Sequence, residues 1–174
     1  MGLFSAISPG FVAEVLDISN HAVTGAVVFV VFASSAVAQI VLRGDNHLSA
    51  QRWGCAILIV GVVVLAISLW ASSLPLLLVA AVICGIGQGI IFTNGIASIT
   101  GELPSHGKAD VTSAFFVVVY IAISVPVIGA GAVAAHWGLI TAGIVFASIV
   151  GLLGAAAFIL LTVEDRRGQR PPTH

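Results

Sequence analysis

Charge is what this 174-residue chain has least of: Asp, Glu, Lys and Arg together make up 7% of it, where a soluble domain carries about 25%. Hydrophobic residues make up 59%, and the mean hydropathy is +1.18, so water cannot be the main solvent for its surface. Cysteine is scarce too. Cys55 and Cys84 lie in apolar sequence without a metal ligand at motif spacing, and they read as small buried hydrophobes. No cofactor or metal is implied. The net charge of −1 provides no basic stripe, which argues against nucleic-acid binding. A short hydrophobic core behind an early basic region is also missing, because the first long apolar run ends at Arg43. A cleaved signal peptide is therefore not expected.

Long charge-free runs take the place of everything that is scarce. A helix needs about 20 apolar residues to cross roughly 30 Å of hydrocarbon, and residues 22–42 provide one such crossing. Residues 53–101 are long enough for two, joined at Ser72, Ser73, Leu74 and Pro75, where Ser suits an N-cap and Pro a first helical position. Residues 111–163 hold two more, with Asp110 as an N-cap and a reversal at His136, Trp137 and Gly138. The expected fold is an all-α membrane protein, a five-helix transmembrane bundle spanning about 22–42, 54–71, 76–99, 111–134 and 139–162.

The six basic residues set its direction. Arg43 and Arg52 lie in one connection, Lys108 in another, and Arg166, Arg167 and Arg170 in the tail. Short loops rich in Lys and Arg stay on the cytoplasmic side, which puts the amino terminus outside, the carboxyl terminus inside and an odd number of crossings between them. Residues 1–21 then form an extracytoplasmic segment, 22–163 the transmembrane domain and 164–174 a disordered cytoplasmic tail. The stretch 1–13, broken by Pro9 and Gly10, is too short to cross. It reads as the end of a missing helix or as an interfacial segment.

The third span carries the most unusual sequence, Cys84-Gly-Ile-Gly-Gln-Gly-Ile-Ile-Phe-Thr-Asn-Gly95. At 100° per residue Gly85, Gln88, Phe92 and Gly95 share a face, with Gly87 and Asn94 nearly opposite. Gly85 and Gly89 form a small-xxx-small pair that lets helix backbones approach. Gln88 and Asn94 suit either an interhelical hydrogen bond or the lining of a substrate path. In the fourth span Ser113, Phe116, Tyr120 and Ser124 make a polar and aromatic seam; its hydroxyls can line a path or bond back to preceding carbonyls. Pro126, followed by Gly129 and Gly131, removes a backbone donor and predicts a kink. Ser34, Ser35 and Gln39 are mild polar positions in the first span. Trp53, Trp70 and Trp137 fall at span ends, where indoles anchor helices in the interface, and His47 and His106 read as solvated loop residues. No span contains Asp, Glu, Lys or Arg, no catalytic constellation falls within them, and the chain reads as a carrier rather than an enzyme.

The order of these motifs resembles the carboxy-terminal half of a major facilitator superfamily transporter, from the end of its seventh helix through its twelfth. The likeness is carried by SPGFVAEVLDISNHAVTG, LRGDNHLSAQRWG, GIGQGIIFTNG and ELPSHGKADVTSAFFVVVYIAISVPVIGAG. It implies half of a twelve-helix fold, with a solute site at the midplane between two halves that rock to give alternating access. By helix position, Gln88, Phe92, Asn94, Tyr120 and Ser124 are the pathway candidates. Asp45, Arg52 and Gly54 match the family's inner-loop gating motif loosely. The partners implied are the lipid bilayer, a small organic solute or drug, and either a missing amino-terminal half or a second copy. A membrane scaffold or assembly partner that does not itself transport is the alternative reading.

Overall fold

The computed structural model describes residues 10, 12, 20–42, 47–101 and 105–168, with the backbone alone at 105–107 and 165–168. From residue 20 onward the described residues form five helices in succession: α1 (His21–Val41), α2 (His47–Trp70), α3 (Leu74–Thr100), α4 (Ser105–Trp137) and α5 (Leu139–Gly168). Each contains a stretch long and apolar enough to cross a membrane, and the described residues contain no strand. Hydrocarbon offers no partner for a bare N–H or C=O, so helices that satisfy their own backbones are what such a composition can build.

Their ends are chemically legible. The Asn20 side chain caps α1 by accepting from the Ala22 N–H at 2.9 Å. Ser73 caps α3 in extended conformation with Pro75 just inside the helix, and the Ser73 N–H closes the preceding turn on the Ser68 carbonyl at 3.1 Å. Between α4 and α5 the chain reverses through Gly138 alone. Its φ of +85° is a conformation that costs most side chains about 1–2 kcal/mol and glycine little.

Three boundaries differ from the sequence expectation. α2 starts at His47, so most of the basic connection placed at 43–53 is helix; α4 likewise starts at Ser105; and α5 runs to Gly168, beyond the tail boundary set at 163. The physical reason is common to all three. Hydropathy marks where hydrocarbon ends, whereas a helix continues through the headgroup zone if its residues tolerate it. The polar turns thus added hold Arg52, Lys108, Asp110 and Glu164 near helix ends. Asp45, Glu102 and residues 169–174 lie outside the described residues.

Packing radiates from α3, which touches α1, α2 and α4, while α5 packs against α2 and α4. Glycines set the spacing. A Cβ on Gly89 would lie 2.5 Å from the Ser35 carbonyl oxygen of α1, and one on Gly87 would lie 2.7 Å from the Leu58 nitrogen of α2. Gly61 of α2 meets Cys84 of α3 in the same way. The core they enclose includes Val31, Leu65, Leu69, Leu77 and Ala80. Val12 is wholly buried in that core, and Gly10 lies against Leu139 of α5, so these two residues of the 1–21 segment sit on the bundle.

A polar and aromatic face on α3 and α4

α4 is built unlike the others: none of its most apolar 18-residue stretch is buried. Phe92 of α3 holds it from one side, its ring centroid 6.1 Å from Phe115 and 6.0 Å from Phe116, with those two rings 6.0 Å apart. These are edge-to-face and tilted separations that favour aromatic pairs. Tyr120 continues the ladder at 6.5 Å from Phe116. It is 68% exposed, and its hydroxyl has no hydrogen-bond partner among the described residues. Ser113 and Ser124 are exposed on the same helix. The seam of α4 is thus an uncovered aromatic shelf with hydroxyls along it, near mid-span. Phe115 was not singled out in sequence, though the Phe-Phe doublet was its visible signal.

The other candidates do not join this face. Gln88 lines an internal cavity together with Pro126, and α4 runs through Pro126 as one helix. Asn94 is 1% exposed and turned to α2. Its Nδ2 donates to the Ile90 carbonyl at 2.9 Å, leaving Oδ1 to accept from His47 Nδ1 at 3.0 Å. His47 is therefore no solvated loop residue: it opens α2 and joins it to α3. The two residues are 47 positions apart, and no local pattern could have paired them. One turn further along each helix, Gln51 Nε2 donates to Ser98 Oγ at 3.2 Å.

Ser35 is buried on α1 and accepts from Gln39 Nε2 at 3.3 Å, while Ser34 donates to the Val30 carbonyl at 2.7 Å. The hydrogen bonds of these three polar side chains stay within α1, and Ser34 also meets Gly85 of α3. Of the gating-like residues, Asp45 lies outside the described residues and Arg52 is half-buried in α2. Gly54 packs into the α2–α3 seam, where a Cβ would lie 2.9 Å from Ile91. Gly129, which follows Pro126 at the expected kink, has open space where its Cβ would be. Trp53, Trp70 and Trp137 are all strongly exposed towards helix ends, as interfacial anchors are. Among the described residues no group of three or more His, Cys, Asp or Glu could hold a metal ion.

Across residues 1–174 the sequence matches the model of one family, the Major Facilitator Superfamily. The chain belongs to that superfamily. It is a multi-pass membrane protein and a transporter or part of one, and members of the superfamily are transporters rather than enzymes. No curated protein and no solved structure matches it.

Proposed function

We propose that this major facilitator chain moves a small organic solute or drug across a bacterial-type plasma membrane by alternating access, with its solute meeting the α3–α4 face. It takes the place of the carboxy-terminal half in that scheme. The observation that carries the reading is the uncovered seam of Phe116, Tyr120 and Ser124 on α4, which Phe92 of α3 flanks, while Asn94 and Ser35 are buried in the packing between helices. Polar groups facing lipid are costly, and within transporters they gather on surfaces that line water or substrate near mid-membrane. The aromatic rings suit an apolar body, and the Tyr120 and Ser124 hydroxyls suit one polar group on it.

A second set of helices, another six-helix half or a second copy, covers this face and supplies the body against which it rocks. The assembly-partner reading draws on the same exposed α4, which would then serve association alone. Flux separates the two. Proteoliposomes containing the purified chain are expected to take up at least one member of a panel of amphipathic organic solutes, and Tyr120→Phe is expected to lower that uptake about tenfold, roughly one hydrogen bond's worth. Absence of flux for every solute sinks independent transport, and unchanged flux in Tyr120→Phe removes the seam from the path.

The basic segments support an orientation with the amino terminus outside and the carboxyl terminus in the cytoplasm. A periplasm-active reporter fused after His136 is expected to be active, and one fused after His174 inactive. The opposite pattern refutes the orientation.

A further inference from the structure

A cavity of about 220 Å³ lies inside the bundle, away from the aromatic ladder, between α2, α3, α4 and α5. Its inner wall includes Leu58, Leu65, Cys84 and Gln88, and its α4 wall includes Ala122 and Pro126. It exceeds the apolar cavity of about 150 Å³ that stays dry and takes up benzene in an engineered protein. Its outer rim consists of Ile123 of α4 with Ile149 and Leu153 of α5, which are 39%, 43% and 63% exposed. The cavity therefore opens sideways between α4 and α5.

Depth identifies what lies outside that opening. Leu58, Gln88, Ile123 and Leu153 each fall close to the middle of their own membrane-spanning helices. Mid-span is the hydrocarbon centre, so the rim is continuous with the apolar surface that α4 and α5 present to lipid. Water is a poor filler of the whole volume, because each buried water needs about 2–4 polar partners and the wall supplies only the Gln88 amide, the Cys84 thiol and the Ala122 carbonyl, whose helical donor Pro126 removes. An empty void is also disfavoured, since the atoms lining it forgo dispersion contacts.

The geometry points to a lipid site: the methyl-end segment of a membrane phospholipid acyl chain enters between α4 and α5 and lies against Leu58, Pro126 and the aliphatic stem of Gln88. The site is separate from the solute face and holds whether or not the chain transports alone. It makes the contact of α4 with the bundle depend on lipid, because the chain end fills space that α4 and α5 leave between them.

Photolabelling tests it. The full chain is placed in phosphatidylcholine nanodiscs in which one acyl chain carries an alkyl diazirine at its methyl end, or in a second preparation near the headgroup, and adducts are located by peptide mass spectrometry. The methyl-end probe is expected to label the Leu58 and Gln88 peptides about tenfold more than the headgroup-end probe. The methyl-end probe is also expected to label outward mid-span residues such as Leu152, 72% exposed. Ala122→Phe introduces a ring at a position of α4 that lines the cavity, and it is expected to abolish the inner-wall adducts while leaving those at Leu152. Adducts confined to outward residues with both probes overturn the site, as does inner-wall labelling that survives in folded Ala122→Phe. If that variant does not fold, the depth contrast in the unaltered chain decides by itself.

Discussion

Gly89→Val is expected to lose about 3 kcal/mol or more of stability, the upper range for forcing methyl groups into a filled contact. The first atom met by the new Cβ is the Ser35 carbonyl oxygen at 2.5 Å, and the next is the Ala38 Cβ at 3.1 Å. Neither can rotate aside, since one is backbone and the other has no rotamers. α1 would have to move as a body. Its buried residues Val27, Val31, Ser35 and Ala38 recur at helical spacing as one stripe, and α3 is its main neighbour. Displacement by even one ångström therefore loosens most of what holds α1. Gly85 makes the same approach one turn earlier, against Ser34 and the Val31 carbonyl. Gly129→Ala is the control, because nothing lies within 4 Å of its would-be Cβ and alanine is the better helix former by up to about 1 kcal/mol. Unfolding in mixed micelles, followed by circular dichroism, reads both variants. A Gly89→Val protein as stable as the parent would mean that α1 does not lie on α3 as described.

Asn94→Leu is the second large effect, at about 1–2 kcal/mol. Hydrogen bonds between membrane helices average only about 0.6 kcal/mol, but the larger loss here comes from what is left behind. Without the Asn94 oxygen the His47 Nδ1–H faces α3 with no acceptor, and an orphaned polar group costs about 1–3 kcal/mol. His47 is half-buried and opens its helix, so partial access to water keeps the cost below the top of that range. The double variant with His47→Ala tests the attribution. If the pair acts as one unit, the second substitution adds little to the first, with a coupling of about 0.5 kcal/mol or more. Strict additivity would show that the bond contributes nothing.

These two cases mark where sequence reasoning reached and where it stopped. The Gly85–Gly89 pair was visible as a means of close approach, but nothing local indicated that it faces α1 while Gly87 faces α2. The wheel set Gly87 and Asn94 apart from Gln88 and Phe92 without indicating which side meets a neighbour. Only the packing separates Gln88, beside the internal cavity, from Phe92, beside the α4 rings. His47 shows the limit most plainly: the fall in hydropathy around it reads as a loop, and its partner is 47 residues away.

The sequence by itself determined the five apolar helices found among the described residues, the two tight reversals at Ser72–Pro75 and Gly138, and membership of a transporter superfamily. Those are local properties, because hydrocarbon forces each spanning segment to satisfy its own backbone and a crossing needs a set number of apolar residues. The tertiary structure decided which helices touch, that α3 is central and α4 exposed, that His47 bonds to Asn94, and that a cavity opens between α4 and α5. Each of these depends on how a helix is rotated about its axis and which neighbour it meets. When nearly every residue is apolar, the pattern along the chain no longer marks which side faces inward, and close packing between distant segments settles it.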